Sequence, residues 1–214
     1  MSFSAVVLAA GTSSRMRGAH KMLLPWGGQT VIRHTVQQVL ASGPEELVVV
    51  TGFKGDEVAK ELQDQGVVLQ PNPRFDEGQM TSVAAGCAAL TRPCDAVMVC
   101  LGDMVLLTPA DYAALAAAHA ATELRIVVPR HAGQRGNPVI FAADFLPEVI
   151  AGRRNMGCRK LIADHPGEVF VLDAAHPRYS IDIDTPEDYA RLCASALAAA
   201  RPPPQPSPRG GGGY

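Results

Sequence analysis

The sequence predicts an α/β protein, a single domain built on a doubly wound, mostly parallel sheet. Three observations carry this expectation. Apolar runs of strand length alternate with helix-length segments, opening in the order β-α-β-α-β. Runs such as Ala5–Leu8, Glu46–Thr51 and Asp95–Leu101 are almost continuously apolar, as strands buried on both faces must be. A chain of 214 residues, 47% of them hydrophobic, can bury one sizeable core.

Each element has its own signal. The first strand, Ala5–Leu8, breaks at Ala9-Ala10-Gly11 into a loop of small residues, and Met22–Gly27 continues as loop. Val31–Leu40 is a helix with an apolar stripe at Val31, Ile32, Val36, Val39 and Leu40, stopped by Ser42-Gly43-Pro44. Glu46–Thr51 is a strand, Asp56–Asp64 a short polar helix and Val67–Leu69 a brief strand. Two prolines, Asn72 and Gly78 keep Gln70–Gln79 irregular, and a helix runs from Met80 to about Leu90. Asp95–Leu101 is the most apolar strand and ends at Gly102-Asp103. Thr108-Pro109 opens an alanine-rich helix to about Ala121, Thr as N-cap and Pro at the first helical position. Leu124–Val128 and Pro138–Ala142 read as strands around the basic loop 129–136. Ala143–Ile150 and Lys160–Asp164 read as short helices around a second basic loop, 152–159. Val169–Leu172 and Tyr179–Ile183 read as two more strands. Thr185-Pro186 repeats the helix start, with Glu187 and Asp188 suiting the helix dipole, and that helix runs to about Ala200. The domain is expected over 1–200, and the Pro/Gly-rich stretch 201–214 as a flexible tail outside it.

Composition excludes several classes. A net charge of −2 argues against a general nucleic-acid binder. No apolar run reaches membrane-spanning length, and no basic segment followed by an apolar stretch opens the chain, so a cytoplasmic location is expected. The five cysteines are odd in number and form no C-x-x-C pair, which disfavours a disulfide framework or a zinc site. Most should be small buried hydrophobes; Cys158, between Gly157 and Arg159, is the one that could lie in a site.

The stretch AVVLAAGTSSRMRGAHK, residues 5–21, carries the chemistry. Small residues after a buried strand allow close approach to a ligand, exposed N–H groups make an anion nest, and Arg15, Arg17 and Lys21 add charge. That combination points to a polyphosphate; the alternative is an ordinary strand-to-helix turn with solvated bases. The spacing matches neither G-x-x-x-x-G-K-[ST] nor G-x-G-x-x-G, since the glycines are Gly11 and Gly18 and Met22 follows Lys21. Asp103, directly after a buried strand, is a second focus. With one or both of Asp182 and Asp184 it would supply the carboxylates that a nucleotide-bound Mg²⁺ prefers. The alternatives are a turn cap for Asp103 and a solvated edge-strand face for the other two.

LAAGTSSRM-x(4)-K, NP-x(4)-G-x(3)-S, LGDM and DIDTPED occur in this order. Together they resemble the MobA-like nucleotidyltransferase family, and within it the molybdenum cofactor cytidylyltransferases, over about residues 4–200. The resemblance implies a Rossmann-like nucleotidyltransferase fold. It implies that Leu8, Ala9, Ala10 and Gly11 line the nucleotide, that Arg15 and Lys21 hold its triphosphate, and that Asn72, Gly78 and Ser82 surround base and ribose. It implies Mg²⁺ (with Mn²⁺ as a substitute) at Asp103, with Asp182 and Asp184 beside it, so that Arg15, Lys21 and Asp103 are the catalytic set. LAAG in place of LAGG favours CTP over GTP. The acceptor implied is a molybdopterin-type phosphate, facing Arg135, Asn137 and Arg159 in the two basic loops, and a molybdenum hydroxylase is a possible recipient of the product.

Three positions depart from the family pattern: Val105 where a proline is usual, Asn137 where a His is common, and Asn155 where an Asp is common. All touch the site mouth or the acceptor side. The expected chemistry is in-line attack of an acceptor phosphate oxygen on the α-phosphorus, driven by positioning and charge neutralisation, with no strong base required. The rivals are GMP transfer from GTP, CMP transfer to another small phosphate, and a non-catalytic cofactor-delivery role. An NAD(P)-dependent oxidoreductase is disfavoured by the glycine spacing.

Overall fold

The computed structural model describes residues 1–151 and 158–200. Residues 152–157 of the second basic loop, with Asn155, and the stretch 201–214 lie outside the described residues, while Cys158 and Arg159, expected in that loop, open a helix. The strands are β1 (Phe3–Ala9), β2 (Pro25–Trp26), β3 (Gln29–Thr30), β4 (Leu47–Thr51), β5 (Val68–Pro71), β6 (Ala96–Leu101), β7 (Ile126–His131), β8 (Gln134–Arg135), β9 (Val139–Ala142) and β10 (Val169–Asp173). The helices are α1 (Val31–Leu40), α2 (Gly55–Leu62), α3 (Gln79–Ala88), α4 (Pro109–Ala120), α5 (Leu146–Ile150), α6 (Cys158–Asp164) and α7 (Pro186–Ala200).

The main sheet runs β10-β7-β9-β6-β1-β4-β5, with β8 added to β7, and β2 and β3 form a separate hairpin. The pairs β6–β1, β1–β4, β4–β5 and β7–β10 are parallel, while β9 is antiparallel to both β6 and β7. The predicted parallel sheet is therefore mixed on one side, because β9 returns from the β7–β8 hairpin into the gap beside β6.

Every residue of β1 is buried, which explains its unbroken apolar character. Phe3, Ala5, Val7 and Ala9 face one layer with α1, α2 and α4, where Ile32, Val36, Leu62 and Leu115 pack. Val6 and Leu8 face the other layer, with Val83 of α3, Val149 of α5 and Leu161 of α6. α3 lies so close that a methyl group on Gly86 would overlap Val6 and come within 2.7 Å of Val50 Cγ2. Both Thr-Pro signals start helices, at α4 and α7. Asp111 Oδ2 accepts from Thr108 N at 2.8 Å and Asp188 Oδ2 from Thr185 N at 3.1 Å. A third cluster, with Met16, Trp26, Val105, Ile183 and Leu192, joins α7 and the small hairpin to the carboxyl edge of the sheet.

Three expectations need correction. Met22–Gly27 is not all loop, since Pro25–Trp26 is β2 and pairs with β3. Tyr179–Ile183 is not a strand: Pro177 opens a 3-10 turn over Pro177–Ser180, and the chain beyond it is irregular. The apolar alternation misled because its burial comes from side-chain anchoring and not from a sheet ladder. Nor is 129–136 all loop, since β7 continues to His131 and pairs with β8.

Candidate active site

Register sets the site. Leu8 of β1 pairs with Leu101 of β6, and Ala9 with Thr51 of β4, so three strands end at one edge of the sheet. The next residues, Ala10-Gly11, Gly52 and Gly102-Asp103, emerge together. This is the carboxyl edge where open α/β sheets bind ligands. Gly102 is needed for the close approach: its N–H donates to Leu8 O at 3.0 Å, and a Cβ there would lie 2.9 Å from Ile32 Cδ1 and 3.0 Å from Leu8 O.

The loop after β1 is a folded-back coil. Ser13 and Arg17 take left-handed backbone conformations (φ 54° and 50°), which bracket a 3-10 turn over Ser14–Met16 anchored by buried Met16. Such φ values cost a non-glycine residue about 1 kcal/mol or more, so the turn is held by its surroundings. Ser13 Oγ accepts from Lys21 N at 3.1 Å, and His20 Nε2 lies 3.0 Å from Phe53 O. Burial lowers the His20 pKa and outweighs the bond to Phe53 O, which raises it. These ties return Lys21 to the carboxyl edge after the detour.

There Lys21 meets two carboxylates and a backbone carbonyl. Its ammonium contacts Asp103 Oδ2, donates to Ile183 O at 3.0 Å and lies 3.4 Å from Asp184 Oδ1. Arg15 Nη1 lies 2.9 Å from Asp184 Oδ2. Asp103, Asp182 and Asp184 each offer an oxygen within 4.8 Å of the others. Asp182 and Asp184 flank Ile183, which is fully buried and whose N–H donates to Asp103 O at 3.3 Å. Sinking Ile183 into the core leaves its two neighbours on the cleft side, so the alternation holds without a strand.

A cleft of about 600 Å³ opens over this cluster. Leu8, Val83, Val99 and Leu101 form its apolar floor, and Ala10, Gly11 and Ser82 line it near the strand ends. Arg135, Asn137 and Arg159 line the far side with Cys158. Ala9 is buried in the core beneath it. Asn72 is buried too, and its Nδ2 donates to Thr81 Oγ1 and Ser82 Oγ at 2.9 and 3.0 Å while its Oδ1 accepts from Arg74 N. It shapes the loop that brings Ser82 to the cleft. Gly78, at φ 118°, turns the chain into α3 and is exposed outside the lining.

The MobA-like NTP transferase domain profile matches residues 5–169. The chain belongs to the MobA-like NTP transferase family. It is 29% identical over 191 residues to the molybdenum cofactor cytidylyltransferase of Escherichia coli K12, covering 86% of this chain and 92% of that protein. It is 27% identical to the nicotine blue oxidoreductase of Paenarthrobacter nicotinovorans, covering 87% and 94%. Among solved structures, a nucleotidyl transferase from Methanothermobacter superposes with a TM-score of 0.77 at 27% identity, over 92% of this chain and 99% of that one. The manganese complex of Rv0371C from Mycobacterium tuberculosis H37Rv superposes at 0.72 and 27%, over 91% and 100%.

In this nucleotidyltransferase the cleft holds cations and carboxylates side by side. Burial of Lys21 would lower its pKa, but Asp103 and Asp184 outweigh that and hold it above the ordinary value. Burial, then Asp103 and Asp184, raise the Asp182 carboxyl. Among the described residues, buried Asp103 Oδ1 has no hydrogen-bond partner. An orphaned buried carboxylate oxygen beside two further carboxylates is a donor set that a hard divalent cation fits. Desolvation and the neighbouring Arg159 lower the Arg135 pKa, and burial pushes the Cys158 thiol up to about 11, which leaves it an inert wall.

Sequence reasoning missed Ser13, His20 and Tyr179 as residues that build the site. Ser13 and His20 lie inside the quoted motif, but their partners, Lys21 N and Phe53 O, are set by the folded-back loop. Among the described residues no helix is long and apolar enough to cross a membrane.

Proposed function

We propose that this nucleotidyltransferase moves a cytidylyl group from CTP to the phosphate of a molybdopterin-type acceptor and releases pyrophosphate. The observation that carries this reading is the meeting of Asp103, Asp182 and Asp184 within 4.8 Å, at a cleft that also holds Arg15, Lys21, Arg135 and Arg159. Carboxylates for a metal on one side and guanidinium groups on the other suit a triphosphate meeting an anionic acceptor.

Leu8, Ala10 and Gly11 take the nucleotide along the β1 end, with Ala9 fixing the backbone from below. Ser82, set by Asn72 and the turn at Gly78, faces base and ribose. Arg15 and Lys21 hold the triphosphate oxygens and receive the charge of the leaving pyrophosphate. Arg135, Asn137 and Arg159 orient the acceptor phosphate, an anion that attacks without a general base. Mg²⁺, or Mn²⁺ in its place, held by Asp103 with Asp182 and Asp184, would neutralise phosphate charge. Support for CTP comes from LAAG and from the E. coli relative's name; the manganese complex of a structural neighbour supports the metal. A molybdenum hydroxylase would be a natural recipient of the product.

The test is mass spectrometry of the product formed from CTP or GTP with molybdopterin, with and without molybdenum. A cytidylyl adduct with stoichiometric pyrophosphate is expected. A guanylyl adduct alone would move the assignment to GTP. CTP binding without pyrophosphate release, with molybdopterin or sugar phosphates present, would replace transfer by a delivery role. The oxidoreductase relative motivates one control: oxidation of a nicotinamide cofactor, which the absence of G-x-G-x-x-G after β1 disfavours.

A further inference from the structure

We infer that Asp111, a buried carboxylate outside the cleft, is a positioning residue that sets both the Asp182/Asp184 pair and the acceptor-side hairpin through Arg178 and Tyr179. The inference rests on the metal reading above.

Asp111 lies in the first turn of α4, which follows β6 and Asp103. It is 4% exposed and makes more bonds than its capping role requires. Oδ2 accepts from Thr108 N and Oγ1, both at 2.8 Å, and completes the helix start. Oδ1 points the other way, accepting from Arg178 Nη2 at 2.8 Å with His176 Nε2 at 3.1 Å. Its backbone carbonyl accepts from the Tyr179 hydroxyl at 2.8 Å. His176 stacks on the Tyr179 ring at 5.4 Å. Three side chains of the 176–179 turn therefore converge on one residue.

That turn governs two parts of the site. Downstream, only three residues separate Tyr179 from Ile183, whose N–H is tied to Asp103 O. Asp182 and Asp184 hang on this short span, so its two anchors fix where their oxygens fall relative to Asp103. In the other direction, Tyr179 O accepts from Asn137 N at 2.8 Å, and Gly136 packs so tightly on the same carbonyl that a Cβ there would collide with it. Asn137 and Arg135 line the cleft from this hairpin. One residue, through its carboxylate to Arg178 and its backbone carbonyl to Tyr179, thus holds the metal pair and the acceptor wall in a common frame. Among the described residues the side-chain bonds of Asp111 reach Thr108, His176 and Arg178, and the nucleotide cradle at 10–21 meets this frame only further on, where Arg15 and Lys21 bond Asp184 and Ile183.

The experiment measures Mn²⁺ affinity by electron paramagnetic resonance, CTP affinity without metal by calorimetry, and thermal stability. The variants are Asp111→Asn, Tyr179→Phe and a control, Glu46→Gln. Glu46 accepts bonds from Thr91 and Arg92 at the opposite edge of the sheet, so its loss destabilises without touching the frame. Loss of an outer support of this kind weakens metal binding about 10–100-fold. Asp111→Asn should fall about tenfold or more, and Tyr179→Phe in the same direction, with a smaller loss of CTP affinity. Should Asp111→Asn fail to fold, Tyr179→Phe, which removes one hydroxyl and keeps the ring, carries the test. Mn²⁺ affinity within about twofold of wild type in the folded variants would overturn the inference, as would an equal loss in Glu46→Gln. Wild-type protein that binds no Mn²⁺ would remove the metal reading itself, whereas failure of CTP transfer alone would leave the positioning result standing.

Discussion

Replacing Lys21 by Met removes one positive charge and almost no volume. The ammonium lies against Asp103, whose side chain is 6% exposed, and 3.4 Å from Asp184, which is 30% exposed. Two carboxylate charges within 4.8 Å of each other repel by about 3.5 kcal/mol or more at an effective dielectric near 20. Breaking a buried ion pair by deleting one partner costs about 3–5 kcal/mol, and the exposure of Asp184 places this case near the lower end, about 3 kcal/mol. For a chain of this size that is a fall of about 6–12 °C in Tm. The carboxylates remain, so a divalent cation can take the place of the ammonium. Mn²⁺ at about 100 times its Kd returns about 2.7 kcal/mol. Differential scanning calorimetry with and without Mn²⁺ should show the variant losing stability and regaining most of it, with a larger metal response than wild type. Pyrophosphate release should stay at least about 100-fold below wild type even with the metal, because the proposed phosphate partner is gone. A Tm loss below about 2 °C, or no response to Mn²⁺, would refute the electrostatic account of the site.

Two further predictions concern the scaffold. Gly86→Ala should destabilise by about 1–3 kcal/mol in urea titration, because its methyl group meets the stiff side chains Val6 and Val50. Burial of Glu46 would raise its pKa, but bonds from Arg92 and Thr91 outweigh this and hold it below the ordinary 4.5. The folded state then binds fewer protons than the unfolded one, so the stability Glu46 contributes is present above pH 4.5 and lost as pH falls through its folded value. The stability gap between wild type and Glu46→Gln should therefore be widest above pH 4.5 and close on acidification, measured by urea titration at each pH.

Much of the site was legible because its residues follow directly from strand ends. Asp103 comes two residues after a continuous apolar strand, and Leu8-Ala9-Ala10-Gly11 ends another. A parallel sheet puts such residues at one edge whatever the rest of the chain does. Asp182 and Asp184 were placed together for a reason that half survived. The expected strand is absent, but their spacing around buried Ile183 still turns both to the cleft. Asn72 and Ala9 show the limit. Both belong to the quoted motifs, yet one is spent on Thr81 and Ser82 and the other on the core. Residue type tells what a side chain can bond, and only its neighbours tell what it does bond.

By itself the sequence determined the layered α/β fold, the helix starts at Thr108-Pro109 and Thr185-Pro186, and the set of charged residues carried by the strand ends. These follow from local periodicity and from side chains acting on their own backbone. The tertiary structure alone decided that β9 runs against its neighbours, that Lys21 returns to Asp103 through Ser13 and His20, and that Asp111 holds the turn before Asp182. Those contacts join residues up to 82 positions apart, as Lys21 is from Asp103, and depend on loop paths that no periodic pattern records. The physical reason is that burial selects local structure, whereas a buried charge finds its partner only after the elements have packed.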